Sequence, residues 1–266
     1  MYKALDKVTG EDVALKAVAC GDSAGRERAR KEAETLRQVS SPYVVPYHEA
    51  VFRETDVVIV MGYCDGGTLQ HFVEQHSSFF AERQDIFLRT AMQMLQGLLA
   101  IHEKTLVHRD IKPENVFLVS DEGAPKDFPF RVVLGDLGLA KQLNSASQVA
   151  VSAVGTDMYK PPEHLQDFGY SQQGDVWQLG LVFRFMLTGK APFDPGSLPK
   201  CINERKFQCQ IPDSVKTEIR WLADDMTKSD PGERPRCATL LDNSLFRGIT
   251  IEIQQKRSAV VVPLAE

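Results

Sequence analysis

The sequence predicts an α+β fold in which a small β-rich part is followed by a larger helical part. Residues 11–19 place apolar side chains alternately on two faces, which is typical of a strand. Residues 82–104 repeat apolar side chains at helical spacing, which predicts a largely buried helix. Residues 171–189 are apolar on nearly every side, as expected of a helix inside a large domain. The change from strands to helices falls near residues 65–67.

Shorter elements complete this prediction. Residues 26–39 are expected to form a highly charged helix with a thin apolar stripe. Short β-type runs follow at residues 44–45, 51–52 and 56–61. Residues 211–246 are again helical in pattern, with proline and glycine interruptions.

The composition is that of an ordinary globular protein and excludes several classes. Of 266 residues, 43% are hydrophobic and 25% charged, which argues against a disordered chain. A net charge of −5 disfavours nonspecific electrostatic binding to nucleic acid or to an anionic membrane. The five scattered cysteines form no C-x-x-C pair. No uncharged apolar run has the length of a membrane span, and residues 1–10 are charged and lack the apolar core of a signal peptide. We therefore expect a cytoplasmic protein, with the nucleus as the alternative.

Residues 108–115, with the sequence His-Arg-Asp-Ile-Lys-Pro-Glu-Asn, carry the strongest chemical signal, because they resemble a protein-kinase catalytic loop. Phosphoryl transfer depends on alignment and charge neutralisation more than on covalent help. Asp110 can accept the proton of an attacking hydroxyl, and Lys112 can reach the transferring phosphoryl group. Asn115 offers a neutral oxygen to a hard cation such as Mg²⁺. Asp136, which follows a strand-like run, is the expected acidic ligand of the same cation.

This run resembles the catalytic loop of eukaryotic protein kinases, and the resemblance to serine/threonine kinases covers about residues 2–247. It implies a bilobal protein-kinase-like fold with an N-lobe at residues 1–64, a C-lobe at residues 65–247 and a C-terminal tail at residues 248–266. It also implies transfer of the γ-phosphoryl group of ATP, with Mg²⁺, to serine or threonine of protein substrates. Leu137 stands where most of the family has phenylalanine, a feature shared with some NIMA-related kinases.

The resemblance assigns further residues to the phosphates of ATP. Residues 13–16, Val-Ala-Leu-Lys, resemble the family's V-A-I-K strand. Ala14 and Lys16 share one face of that strand, so Ala14 would touch adenine while Lys16 meets the phosphates. The family pairs this lysine with a helix glutamate, which would be Glu32, with Glu34 as its local rival.

Residues 60–67 resemble the hinge that joins the two lobes of the family and binds adenine. Met61 would be the gatekeeper at the back of the pocket. Backbone groups of Gly62 and Cys64 would bond the adenine edge. Phe117, or a neighbour, would form the floor of the pocket.

The segment that follows Asp136 resembles the family's activation loop. Thr156 marks the serine/threonine class and would bond Asp110 and Lys112. Arg109, beside the catalytic aspartate, implies regulation by a phosphate on this loop. The candidate phosphorylation sites, among which the sequence does not choose, are Ser145, Ser147 and Ser152.

Two further matches imply structural roles. Asp175 would bond the backbone of the catalytic loop. Arg234 would pair with Glu163. Residues 120–130, rich in glycine, proline and charge, are expected to be a surface insertion.

The family's glycine-rich loop has no counterpart in this sequence, because residues 1–4 correspond to the segment just after it. We therefore expect a truncated N-lobe that lacks the first strand and this loop, and weak ATP binding. The alternative function is a pseudokinase or scaffold that binds partners with little or no catalysis. The complete catalytic set argues against it. A small-molecule kinase is disfavoured, since Lys112-Pro113 and residues 155–163 resemble protein-substrate machinery. The sequence indicates no oligomeric state.

Overall fold

A four-stranded antiparallel sheet and one helix form the N-terminal part of the computed structural model, which describes residues 1–142, 157–165, 169–247 and 249. The strands are β1 (Tyr2–Leu5), β2 (Asp12–Ala19), β3 (Tyr47–Phe52) and β4 (Asp56–Gly62), in the spatial order β1-β2-β4-β3. Helix α1 (Ser23–Gln38) packs on the sheet through Ala29, Ala33 and Leu36, the predicted apolar stripe.

Helices dominate the rest of the described chain. They are α2 (Leu69–Gln75), α3 (Phe79–Glu82), α4 (Gln84–Glu103), α5 (Pro162–Leu165), α6 (Gln172–Thr188), α7 (Leu198–Asn203), α8 (Thr217–Met226) and α9 (Cys237–Leu241). Two small antiparallel pairs accompany them: β5 (Leu106–Val107) with β8 (Lys141–Gln142), and β6 (Val116–Ser120) with β7 (Phe130–Leu134).

The two long helices lie at the centre of this helical part, as the sequence predicts. Helix α6 is buried on every side from Gly174 to Leu187, because apolar residues surround its axis. Phe87 of α4 meets Phe183 of α6 edge to face, with 5.5 Å between ring centroids. The predicted α+β fold, with a small sheet before a larger helical part, is confirmed. None of the helices in the described ranges has the length and apolarity that a membrane crossing requires.

Two short segments differ from the sequence prediction. Residues 44–45 do not form a strand of the sheet; Val44 makes an isolated bridge with Leu134, and Val45 donates its amide to the same residue at 2.8 Å. Pro46, which has no amide hydrogen, follows directly. The segment therefore ties the sheet to β7. Conversely, Tyr2–Leu5 forms an edge strand that the pattern did not reveal.

The expectation of a surface insertion at residues 120–130 is wrong at its apolar end. Phe128 is only 1% exposed and lies in an aromatic cluster. Its ring centroid is 5.0 Å from Phe72 and 5.6 Å from Phe80. The Phe130 ring centroid lies 5.5 Å from that of Phe128. The polar, glycine-rich composition of the segment concealed one anchoring side chain, which fixes the insertion against α2 and α3.

Replacing this anchor should destabilise the protein. We expect Phe128→Leu to lower the free energy of unfolding by about 1–2 kcal/mol, since it removes edge-to-face ring contacts and leaves unfilled volume. Phe52→Leu is the control, because Phe52 is 47% exposed and should change stability little. Chemical denaturation of both variants and the parent measures the difference. Equal stability of all three proteins would contradict an anchoring role.

Candidate active site

A cavity of about 460 Å³ lies between the sheet, helix α1 and the β6–β7 hairpin. Nine residues assigned from the sequence to nucleotide or metal binding line this one cavity. They are Ala14, Lys16, Glu32, Met61, Gly62, Cys64, Asn115, Phe117 and Asp136. The fold therefore brings together residues that lie more than a hundred positions apart in the chain.

Strand register explains how the apolar end of the cavity forms. In the β2–β4 pair, Ala14 lies opposite Met61, and both side chains are buried. Lys16 lies two residues further along β2, so it points to the same side of the sheet as Ala14. The small alanine leaves room for a flat ring, and the lysine carries a charge towards the polar end.

A close contact in the hinge segment requires glycine at residue 62. A Cβ atom on Gly62 would lie 2.5 Å from Cγ of Pro46, closer than side-chain atoms can approach. The amide of Gly62 donates to the Pro46 carbonyl at 2.9 Å, so any contact of Gly62 with an adenine falls to its carbonyl. Burial raises the pKa of the nearby Cys64 thiol to about 11, so this thiol stays protonated at neutral pH.

Phe117 forms part of the cavity wall next to β7, the strand that precedes Asp136 in the chain. It pairs with Val133 in the β6–β7 hairpin. A Cβ on Gly135 would lie 2.7 Å from the Phe117 ring and 2.9 Å from Val45 Cγ2. The glycine before Asp136 thus lets the backbone pass closely behind the cavity wall.

Lys16 joins two carboxylates at the polar end of the cavity. Its Nζ lies 2.7 Å from Oε1 of Glu32 and 2.6 Å from Oδ1 of Asp136. Glu34, the rival for the first contact, instead pairs with Arg30 at 2.9 Å on the exposed face of α1. The predicted pair of Lys16 and Glu32 is therefore present, and the contact with Asp136 is one that sequence reasoning missed.

These contacts set the charge states of the cluster. Burial disfavours the charge on Lys16, but its hydrogen bonds to Asp136 and Glu32 outweigh this and raise its pKa. Burial likewise opposes ionisation of Asp136, yet the bond and charge of Lys16 hold the pKa of that carboxyl below its ordinary value. A carboxyl group whose pKa is lower in the folded state stabilises the fold at pH values above its pKa in the unfolded chain. This contribution is lost as the pH falls through the folded-state pKa.

Removing the lysine charge should reverse the shift of Asp136. We expect Lys16→Met to raise the pKa of Asp136, because burial then acts without a compensating cation. Glu32→Gln is the control, since it keeps Lys16 beside Asp136 and should leave this pKa depressed. A carbon-detected NMR titration of the Asp136 carboxyl measures both variants. An unchanged pKa in Lys16→Met would show that another group holds the carboxylate.

Three predicted catalytic residues, Asp110, Lys112 and Asn115, form a second cluster beside the cavity. Oδ2 of Asp110 lies 3.0 Å from Nζ of Lys112. Asn115 uses its Nδ2 to donate to the Asp110 carbonyl at 2.8 Å and to Oδ2 at 2.9 Å. Because Nδ2 is directed to Asp110, the oxygen Oδ1 of Asn115 is the atom that suits a cation.

A buried carboxylate holds the backbone of this loop. Asp175 accepts the amide hydrogens of His108 and Arg109, each at 2.8 Å, which confirms the contact predicted from the sequence. Arg109 has a positive φ of 72°, a conformation that a non-glycine residue adopts at a cost. Gln178, which sequence reasoning missed, accepts from the amide of Ile111 at 3.0 Å. Strain at Arg109 is thus balanced by fixed bonds from α6.

The structural match between Glu163 and Arg234 is also confirmed. The two side chains form a double hydrogen bond, with both distances 2.7 Å, and Arg234 is 3% exposed. Other predictions concern residues outside the described part of the chain: Thr156, the candidate phosphorylation sites Ser145, Ser147 and Ser152, and nearly all of residues 248–266.

The donor set fits a magnesium ion held jointly with phosphates. Asn115 Oδ1 and the carboxylate of Asp136 are hard oxygen ligands, and both residues line the same cavity. Within the described ranges, no cluster of three or more histidine, cysteine or acidic side chains has metal-ligand geometry. Mg²⁺ is usually bound by one or two protein groups, with substrate oxygens and water completing its coordination.

The cavity has further lining residues that sequence reasoning missed: Met1, Tyr2, Lys3, Leu36, Val45, Tyr63 and Leu137. The register of the β1–β2 pair places Lys3 opposite Ala14, and Nζ of Lys3 lies 4.5 Å from the centre of the Tyr63 ring. The turn signal at Thr9-Gly10, between two strand-like runs, could have revealed this hairpin.

A bilobal arrangement of sheet and helices, a cavity with an apolar and a polar end, and an adjacent aspartate–lysine–asparagine cluster define the protein kinase class. A family model of the protein kinase domain matches residues 1–246, and the chain belongs to this family.

Curated relatives narrow the class to serine/threonine kinases similar to the NIMA-related group. The chain is 32% identical over 237 residues to serine/threonine-protein kinase Nek3 of Oryza sativa subsp. japonica, covering 88% of this chain and 39% of the relative. It is 34% identical over 221 residues to Nek3 of Mus musculus, covering 81% and 41%. Nek1 of Mus musculus is 30% identical over 224 residues, covering 83% and 18%. The chain thus spans less than half the length of these relatives.

Proposed function

We propose that this chain transfers the γ-phosphoryl group of ATP, with Mg²⁺, to serine or threonine residues of protein substrates. The observation that carries the proposal is the continuity of two clusters. Lys16, Glu32 and Asp136 form the polar end of the cavity. Asn115 lines the same cavity and donates two hydrogen bonds to Asp110. A phosphate in the cavity would therefore lie beside the Asp110 carboxylate, which can accept a hydrogen bond from a substrate hydroxyl.

Each end of the cavity has a separate role in this proposal. The apolar end, with Ala14, Met61 and Phe117, would hold the adenine ring by van der Waals contact. The carbonyl of Gly62 and backbone groups of Cys64 would orient its edge. We further propose that the N-lobe extends to residue 64 and the C-lobe from residue 65 to residue 247, which places this hinge at the junction.

Charge at the polar end would hold the phosphates. Lys16 is kept protonated and fixed in place by two carboxylates, so its charge is available without reorganisation. Asn115 and Asp136 would bind Mg²⁺, which neutralises phosphate charge when it is bound.

The acceptor hydroxyl would lie against Asp110. Its carboxylate is oriented by Lys112 at 3.0 Å and by Asn115 at 2.9 Å. A carboxylate held in this way can align a serine or threonine hydroxyl and receive its proton. Lys112, which contacts the same carboxylate, would stabilise the negative charge that develops on the transferring phosphoryl group. Thr156 is proposed to complete this cluster.

Two measurements on the parent chain test the proposal. A thermal-shift titration with Mg-ATP should raise the unfolding temperature, because a ligand that binds the folded state stabilises it. Radiolabelled ATP with a generic protein substrate should give labelled phosphoserine or phosphothreonine. A thermal shift without any transfer would overturn the enzyme assignment and support the alternative, a pseudokinase or scaffold. The absence of both responses would contradict nucleotide binding as well.

A further inference from the structure

Three buried polar side chains from three helices form a chain that ends on the backbone of the catalytic loop. Sγ of Cys237 in α9 lies 3.6 Å from Nδ1 of His102 in α4. The other ring nitrogen, Nε2, lies 2.9 Å from Oδ2 of Asp175 in α6. The exposed fractions of the three residues are 2%, 8% and 0%. Since Asp175 also accepts the amides of His108 and Arg109, a change at Cys237 can be transmitted to the loop.

Asp175 requires a proton on Nε2 of His102. A carboxylate without solvent contact is tolerated only where donors surround it. The amides of His108 and Arg109 supply two donors. Nε2 is the third neighbour, and it donates only when it carries the hydrogen. A bare lone pair at this position would face the negative oxygen at 2.9 Å and repel it.

Cys237 is placed to select that protonation pattern. In an imidazole with one N–H, a hydrogen on Nε2 leaves Nδ1 as an acceptor, and the partner of one nitrogen decides which form is present. Burial, followed by the charge of Asp175, raises the pKa of the Cys237 thiol, so the sulfur keeps its hydrogen. The S–H group is a weak donor, but it faces the one ring nitrogen that must not be protonated.

We propose that Cys237 is a positioning residue of the catalytic loop: its S–H group donates to Nδ1 of His102 and thereby selects the Nε2–H tautomer that bonds Asp175. The inference rests on the proposed function in one respect only. Asp175 holds the backbone that carries Asp110, so the tautomer affects phosphoryl transfer if this chain is a kinase. The tautomer itself exists independently of any activity.

Nitrogen-15 NMR of the His102 side chain tests the tautomer directly. The parent chain should show hydrogen on Nε2 and a bare Nδ1; hydrogen on Nδ1 in the parent would overturn the proposal without any variant. Serine and alanine differ by one hydroxyl, so Cys237→Ser should retain the Nε2–H form and Cys237→Ala should show a larger share of the other tautomer. Cys20→Ala, which removes a buried thiol bonded to the Val18 carbonyl at 3.3 Å, is the control. An identical spectrum for Cys237→Ala and the parent would also overturn the proposal.

Kinetics provides a second readout. We expect Cys237→Ala to lower kcat by roughly two- to tenfold, the range that corresponds to one neutral hydrogen bond. KM for ATP should be unchanged, because His102 and Cys237 lie outside the cavity. Cys237→Ser should restore most of the rate. An equal loss of kcat in both variants would mean that only packing matters. If the parent transfers no phosphate, the proposed function fails while the NMR result still decides the tautomer.

Discussion

Asp110→Asn should abolish most phosphoryl transfer while leaving nucleotide binding intact. The substitution keeps the shape of the side chain and its contact with Asn115, but the amide can no longer receive the hydroxyl proton. Groups with this role contribute about 10²- to 10⁴-fold to the rate. The cavity is lined by Asn115, which lies between it and Asp110, so the affinity for Mg-ATP should change little.

Transfer rates with radiolabelled ATP and a thermal-shift titration with Mg-ATP separate the two effects. Asp213→Asn is a matched control, because it makes the same chemical change at a side chain that is 99% exposed and pairs only with Arg220 among the contacts described for it. The control should retain the parent rate. A parent-like rate in Asp110→Asn would remove Asp110 from the proposed mechanism.

The parts of the site that depend on local pattern could be predicted from the sequence. Strand alternation placed Ala14 and Lys16 on one face, and the apolar repeat predicted the buried helix α4. These features repeat over a few residues, so a single chain displays them. The hydrophobic character of α6 similarly predicted its central position, which in turn puts Asp175 under the loop.

Contacts between distant segments could not be predicted in this way. The bond from Lys16 to Asp136 joins residues 120 positions apart, and neither local sequence shows it. Phe128 lies in a polar, glycine-rich run, so its burial depends on rings supplied by α2 and α3. Residues 44–45 have strand-forming side chains, but Pro46 and the hydrogen bond from the Val45 amide to the Leu134 carbonyl direct them to β7 instead. In each case, tertiary packing outweighs local propensity.

The three-residue cluster around Lys16 should show strong non-additivity. We expect Lys16→Met to lower the rate of transfer by about 10²- to 10³-fold, the typical cost of removing one preorganised charge or donor at a reacting centre. The substitution also leaves two carboxylates, Glu32 and Asp136, without the cation between them. A Cβ at Gly138 would lie 3.1 Å from Oδ1 of Asp136 and 3.2 Å from Oε1 of Glu32, so both acids border the same small space.

Neutralising one of these acids should therefore raise stability and activity when Lys16 is replaced, and lower both when Lys16 is present. Glu32→Gln alone removes the partner of Lys16, whereas in the Lys16→Met background it relieves repulsion between like charges. The coupling free energy, measured from the unfolding free energies and from kcat/KM of the four proteins, should be about 0.5–3 kcal/mol. Glu34→Gln provides the matched control cycle, since Glu34 pairs with Arg30 on the exposed face of α1 and should add independently to Lys16→Met. Additivity of the Glu32 cycle, or coupling of equal size in the Glu34 cycle, would show that the proposed mechanism places the wrong carboxylate beside the phosphates.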